Sequence, residues 1–233
     1  MPFMLILFFL PSICFAATNP FEIPAVKSYN SKLELTLQSK NRQSIEPLFT
    51  KAEEASHDLA PIIESMDRST FEKLQSQLQG IILRRTEVLV AEPDRDFFLK
   101  LSVEKGTKVD RSFFTLSVKT KPGGWPVYIK QQTDYSGCVR YGENTLVNLY
   151  EEWGRFAKEF RKSYQTHTSS EITRIGTELT NATCACDGKE SAISEFKAFI
   201  TAFPTSPISK KLADRIAAIE NGKSDIRFNC ISG

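Results

Sequence analysis

Two cysteines separated by a single residue, Cys184 and Cys186, have the clearest capacity for chemistry in this 233-residue sequence. As thiolates at that spacing they suit Cu(I), and completed by Cys138, Cys230 or His167 they suit Zn(II). Oxidised, the same four cysteines make two disulfides. The compartment decides between these. Met1 to Ala16 carry no charged residue, hold the apolar run Met4 to Leu10, and finish on Cys14-Phe15-Ala16-Ala17, with small residues where a signal peptidase cuts. The run is too short, and too abruptly ended by Pro11, for a bilayer-spanning helix of roughly 20 residues. Residues 1–16 therefore read as a cleaved secretory signal, the protein as secreted or periplasmic, and the four cysteines left after cleavage as bridged. One intervening residue strains a bridge between Cys184 and Cys186 themselves, so each takes a distant partner. Two pairings stay open: Cys138–Cys184 with Cys186–Cys230, or Cys138–Cys186 with Cys184–Cys230.

Other constellations point less sharply. His57 and His167 are the only histidines, and there is no Gly-x-Ser-x-Gly nucleophile elbow, His-Glu-x-x-His zinc motif or phosphate-binding glycine loop. Glu53 and His57 stand four apart, a ligand spacing, but among Glu54 and Asp58 they read better as a solvated charged face. No cofactor and no metal is expected from these motifs. Glu143, Glu151 and Glu152 could supply the paired carboxylates of a cell-wall-directed hydrolase; Glu151 and Glu152 read more simply as the flank of an amphipathic helix. That hydrolase and a Cys-x-Cys metal-binding protein are the two alternatives to a binding function. Asn181-Ala182-Thr183 is a glycosylation sequon in a eukaryotic source.

A stretch of different composition runs from Lys119 to Gly142. Lys121-Pro-Gly-Gly-Trp125-Pro126 must be a loop. The residues after it interleave aromatic with polar side chains, and Trp125, Tyr128, Gln131, Gln132, Asp134, Tyr135, Arg140 and Tyr141 form the candidate binding surface. The competing and favoured reading is a loop whose aromatics lie down on the core and whose end is pinned by Cys138. With 25% charged and 41% apolar residues and a net charge of +2, the chain is an ordinary globular one, and neither a polyanion nor a membrane surface is indicated as partner.

The elements that must position these residues are mostly helical. After Pro20 and Pro24, Leu33, Leu35 and Leu37 alternate in a segment that is either a short edge strand or a frayed helix. Ser44 as cap and Pro47 in the first turn open a helix carrying Leu48, Ala52, Ala55 and Leu59, stopped at Pro61. Ser69-Thr70-Phe71-Glu72 reads as a capping box that opens a long helix through Phe71, Leu74, Leu78, Ile81, Ile82, Val88 and Leu89, interrupted by Gly80. Asp94-Arg-Asp-Phe-Phe98 is echoed by Asp110-Arg-Ser-Phe-Phe114. These copies read as two helices started by Asp or Ser caps, the first ended by Lys105-Gly106, or as a hairpin over 95–120; the caps and the glycine stop favour helices. Further helices run from Asn144 to Tyr164, from about Ser170 to Leu179, from a second capping box at Asp187-Gly-Lys-Glu190 to Pro204, and from Ser206-Pro207 to Asn221-Gly222.

Glu195-Phe-Lys-Ala-Phe-Ile-Thr-Ala-Phe203-Pro-Thr-Ser-Pro207 resembles the tetratricopeptide-type helix pairs of periplasmic and outer-membrane assembly proteins, in which an aromatic-Pro-x-Ser-Pro turn joins a helix to an Ala-rich one. The resemblance covers about residues 188–220 and implies a helical interaction module. The expected fold is mainly α and bundle-like: an N-terminal helical region (17–120), the aromatic loop (121–142) and a disulfide-stapled C-terminal helical region (143–233). The expected function is non-catalytic binding of another macromolecule, of envelope-interaction, inhibitor or immunity type. The partner is a protein or cell-envelope component, with no nucleic acid and no membrane insertion after signal cleavage.

Overall fold

The computed structural model describes residues 19–85, 89–131 and 137–230; the segment read as a signal, and Val88, lie outside them. The fold is mainly α. Among the described residues, nine helices surround two small antiparallel hairpins.

The ambiguous leucines belong to a helix, α1 (Pro24–Gln38), with Pro24 at its first turn. Leu33 is buried against the core whereas Leu35 and Leu37 are exposed, so the alternation is a helical face and not a strand. α1 packs on α2 (Glu46–Leu59), which buries Leu48, Phe49, Ala52, Ala55 and Leu59. α3 (Arg68–Gln77) starts two residues earlier than the expected capping box: Asp67, not Ser69, is the cap, its carboxylate accepting from the Thr70 N–H at 2.9 Å.

The long helix expected over 69–89 is not there. α3 ends at Gln77, and β1 (Ile81–Arg85) pairs antiparallel with β2 (Leu89–Pro93), Leu83 opposite Ala91. The break is at Gly80, which has φ +77°. A Cβ there would come within 2.4 Å of the Tyr29 hydroxyl oxygen and 2.6 Å of the Phe97 ring, so no larger residue fits at this left-handed position. The hairpin lies here, and 95–120 forms the two helices α4 (Arg95–Glu104) and α5 (Lys108–Thr120). The two Asp-Arg-x-Phe-Phe copies stand in different helical registers. Asp94 caps α4, accepting from the N–H groups of Asp96 and Phe97. Thr107 caps α5, and Asp110, at the third helical position, completes its capping box.

That register makes Asp110 a buried hub. Its carboxylate accepts from the Ile45 N–H at 2.9 Å, the Thr107 N–H at 2.7 Å and the Tyr164 hydroxyl at 2.6 Å, tying the starts of α2 and α5 to the turn after α6. Around it Phe49, Phe98, Phe113 and Phe114 form one aromatic cluster, and the Tyr164 ring stacks on Phe113 at 3.8 Å. Tyr164→Phe removes the hydroxyl and leaves the stacking. The expected loss is about 1.5 kcal/mol, since the acceptor is charged and buried. Urea unfolding measures it, and an unchanged midpoint would mean that the bond contributes nothing net.

The C-terminal half contains α6 (Thr145–Glu159), α7 (Gln165–Asn181), α8 (Lys189–Ala202) and α9 (Pro207–Glu220), with α6 packed on α7 and α8, and α9 on α7 and α8. The sequence pattern extends α6 to Tyr164, but Phe160 leaves the helical conformation. Tyr164, at φ +52°, starts α7 several residues before Ser170. Ser206 caps α9 and accepts from the Ile208 N–H, with Pro207 at the first position. The capping box expected at Asp187 is absent, because the N-cap of α8 is Gly188 with no side-chain bond.

α6 likewise has no cap of its own, Asn144 being left-handed at φ +57°. Glu195, reaching over from the middle of α8, serves instead. One carboxylate oxygen accepts from the N–H groups of Gly142 (3.0 Å) and Asn144 (2.8 Å), the other from those of Leu146 (3.1 Å) and Val147 (3.3 Å). Its side chain is fully buried, and burial holds the carboxyl above its usual range despite these four donors.

The disulfides are Cys138–Cys186 and Cys184–Cys230, the crossed one of the two open pairings. They hold a short ladder. β3 (Ile129–Gln131) pairs with β4 (Gly137–Val139), Val139 bridges in parallel to Ala185, and Cys184 bridges to Arg227 in the tail. Ala185 is buried between the neighbouring chains, its N–H given to the Arg227 carbonyl at 2.8 Å and its carbonyl taking the Cys230 N–H at 2.9 Å.

Candidate functional site

All four cysteines of the metal reading are in disulfides, so Cys184 and Cys186 offer no thiolate pair. Among the described residues no group of three or more His, Cys, Asp or Glu side chains is placed to hold a metal ion. Glu53 does not meet His57, which points into solvent beside Asp58. It meets His167, whose Nδ1 lies 3.3 Å away. Glu143, Glu151 and Glu152 do not face one another: Glu143 lies by Arg140, Glu151 by Arg155, and Glu152 by Lys119 at 2.6 Å. No described helix is long and apolar enough to cross a membrane.

The aromatic stretch divides into surface and core. Lys121 to Val127 forms a turn closed by the Val127 N–H on the Thr120 carbonyl at 2.9 Å. Gly124 takes φ +96°, and a Cβ on it would meet Glu92 Oε1 at 2.5 Å, so the turn is fitted closely onto β2. Trp125 and Val127 are partly exposed, at 37% and 38%. Tyr128 is fully buried, and so nearly is Tyr141, whose hydroxyl donates to the Glu178 carbonyl at 3.0 Å. Burial pushes both phenols well above their usual range. Arg140 projects outward to Glu143 at 3.7 Å. Gln132, Asp134 and Tyr135 lie outside the described residues, as does the side chain of Gln131.

Under this turn lies a charged cluster built by one stripe of α7. Glu171, Arg174 and Glu178, spaced three and four apart, face the loop. Glu171 pairs with Lys121 at 2.9 Å and with Arg174, in side chains only 15–25% exposed. Burial lowers the Lys121 ammonium, helped by the like charges of Arg174 and Arg95 and opposed by Glu171. Burial raises the Glu171 carboxyl, but the charges and hydrogen bonds of Lys121 and Arg174 more than reverse this and bring it below its usual value. Arg95 in turn pairs with Glu92 at 3.4 Å. The Arg174 guanidinium lies 5.5 Å from the Tyr128 ring centroid. Of these partners only Tyr128 stood out in the sequence. The 171-174-178 spacing was visible there, but nothing local joined it to the loop.

An open groove of about 750 Å³ lies elsewhere, between α5 and α6. Leu116, Phe156 and Phe160 form its floor. Its rim carries Lys108, Arg111, Lys119 and Arg155 against Glu152 and Glu159. Lys108 pairs with Glu159 at 3.2 Å and Lys119 with Glu152 at 2.6 Å, so the acidic groups are engaged at either end. Arg111, exposed between them, has no ion pair among the described residues. A smaller opening of about 320 Å³ continues past Phe160 to Arg161 and Gln165. Such a groove offers apolar area flanked by net positive charge, which suits a polypeptide segment with an apolar side and acidic flanks.

Comparison of the chain with protein-family models, with the curated proteins and with solved structures gives no match in any of the three.

Proposed function

We propose that the protein is secreted or periplasmic and acts without catalysis, by binding a partner protein in the groove between α5 and α6. The groove itself is the observation that carries this reading. Its phenylalanine floor and basic rim run along most of α5, a length of roughly 20 Å for thirteen residues at 1.5 Å each. Two disulfides support the oxidising compartment. The resemblance of residues 188–220 to tetratricopeptide-type pairs agrees with an interaction role, although the apolar faces of α8 and α9 are spent on the core of this chain, where Phe196, Phe199 and Leu212 are buried.

Photo-cross-linking in the producing cell tests the assignment. A cross-linking residue at Ser112 or Thr115, both lining the groove, is expected to trap one discrete adduct. The same residue at exposed Lys211 on α9 is expected to trap none. Arg111→Glu reverses a groove charge that has no ion pair among the described residues and should reduce the adduct at least about tenfold, while leaving stability within about 0.5 kcal/mol. Identical patterns from Ser112, Thr115 and Lys211 would overturn the groove as the binding surface.

A further inference from the structure

The groove between α5 and α6 and the smaller opening beside it share one wall, the half-buried ring of Phe160. Charge along this face is uneven. Five cationic side chains line the two openings, Lys108, Arg111, Lys119, Arg155 and Arg161, against two carboxylates, Glu152 and Glu159. The full chain has 30 Lys and Arg against 28 Asp and Glu, and taking away these five and two leaves 25 against 26. The positive excess of the molecule is therefore concentrated here.

Pairing narrows that excess to two side chains. Lys108 is held by Glu159 and Lys119 by Glu152, and Arg155 meets Glu151, just outside the lining, at 3.8 Å. Glu46 and Glu53 line neither opening: Glu46 accepts the Tyr164 N–H at 2.6 Å, and Glu53 faces His167. The start of α7, already met by Glu46, is not counted as a positive end. Arg111 and Arg161 remain, both exposed and without an ion pair among the described residues. Arg111 stands in the groove one turn of α5 beyond Lys108, whose ammonium lies 5.9 Å from the centre of the Phe160 ring. Arg161 follows Phe160 directly and lines the second opening. Each opening thus holds one unpaired arginine, with Phe160 as the wall between.

The complement of this face is an acid for each arginine and an apolar group over the ring. A flat bilayer does not reach the groove floor, where Leu116 is 7% and Phe156 5% exposed, whereas a chain segment lying between two helices does. We propose that the partner of the groove is an acidic polypeptide segment whose two carboxylates pair with Arg111 and Arg161, and whose apolar side chain between them covers Phe160. This rests on the groove being the binding surface. It adds the chemistry of the segment, a contact that runs past the end of α6, and Arg161 as a specificity-determining residue.

A displayed library of random peptides, selected against the full chain with both disulfides intact, supplies the probe. Selected peptides are expected to carry Asp or Glu on both sides of an aromatic or aliphatic residue. With the tightest of them in synthetic form, Arg111→Gln and Arg161→Gln should each weaken binding about fivefold and the double variant about 25-fold, while exposed Lys211→Gln changes nothing. The same peptide with both acids replaced by Lys should lose the native chain and recover binding to the Arg111→Glu, Arg161→Glu double variant. Cross-linking separates this inference from the groove itself. A peptide captured at Ser112 whose affinity ignores Arg161→Gln overturns the two-arginine match and leaves the groove standing, whereas a bound peptide captured at neither Ser112 nor Thr115 overturns both. Selected peptides without acidic residues, or displacement of the peptide by vesicles of phosphatidylcholine and phosphatidylglycerol, would also overturn the match.

Discussion

Glu195→Ala is expected to lower the stability of the folded chain by about 4 kcal/mol, the largest effect of any single substitution argued for this protein. The carboxylate is the shared acceptor for four N–H groups at the start of α6, and the helix has no other cap. Those of Gly142 and Asn144 are partly buried, so water can replace the carboxylate there. Those of Leu146 and Val147 are buried, and each left unmet costs about 1–3 kcal/mol. The negative charge at a helix N-terminus is lost as well. Glu195→Gln separates the contributions, because its amide keeps one acceptor oxygen and turns a donor toward the other pair of N–H groups. About half the loss is expected from it. Denaturant unfolding checks both, with exposed Glu190→Ala, in the first turn of α8, as a control expected to cost no more than about 0.5 kcal/mol.

The same carboxyl gives a signed pH dependence. Its folded value lies above its unfolded one, so the folded chain binds the proton more tightly. Its contribution to stability therefore falls as pH rises from the unfolded value through the folded one. The Ala variant, less stable at every pH, should lack that descent.

Removing the disulfides is the second large effect. Cys138–Cys186 closes a separation of 48 residues and Cys184–Cys230 one of 46. Loop-closure reasoning gives up to about 4 kcal/mol for each, less whatever structure the reduced unfolded chain retains. A Cys138→Ser, Cys186→Ser double variant and a Cys184→Ser, Cys230→Ser double variant should each lower Tm by several degrees. Full reduction of the native protein should exceed either. Intact mass must rise by four hydrogens on reduction, two for each bridge; no rise, or a metal retained by the reduced protein, would mean that the bridges do not form in solution.

Much of this architecture was legible because it rests on local chemistry. The stripes of α2, α5, α6, α8 and α9, the Asp94 cap and the Ser206-Pro207 start are written in neighbouring residues, and the structure has them. The misreadings have tertiary causes. Ile81, Ile82 and Leu89 fit a helical stripe as well as a hairpin, and the break falls at the left-handed Gly80, which Tyr29 and Phe97, distant in sequence, crowd. The start of α6 is fixed by Glu195, some fifty residues away in the chain, and α6 stops at Glu159, short of Tyr164, which starts α7 and reaches Asp110. Tyr128 could be picked out as an aromatic in a polar stretch. Its neighbours Lys121, Glu171 and Arg174 carry ordinary helix-flank charges until the fold brings them together. The alternation of the 125–141 stretch likewise did not reveal that Tyr128 and Tyr141 face inward while Trp125 stays at the surface.

The crossed disulfides have a consequence for covalent continuity. Because Cys138–Cys186 and Cys184–Cys230 overlap across Cys184-Ala185-Cys186, every peptide bond between residues 138 and 230 is spanned by at least one bridge. The uncrossed pairing would have left the bonds on either side of Ala185 unguarded. A protease that cuts this half once, wherever it cuts, therefore leaves a single molecule with both ends attached, and releases a fragment only after reduction.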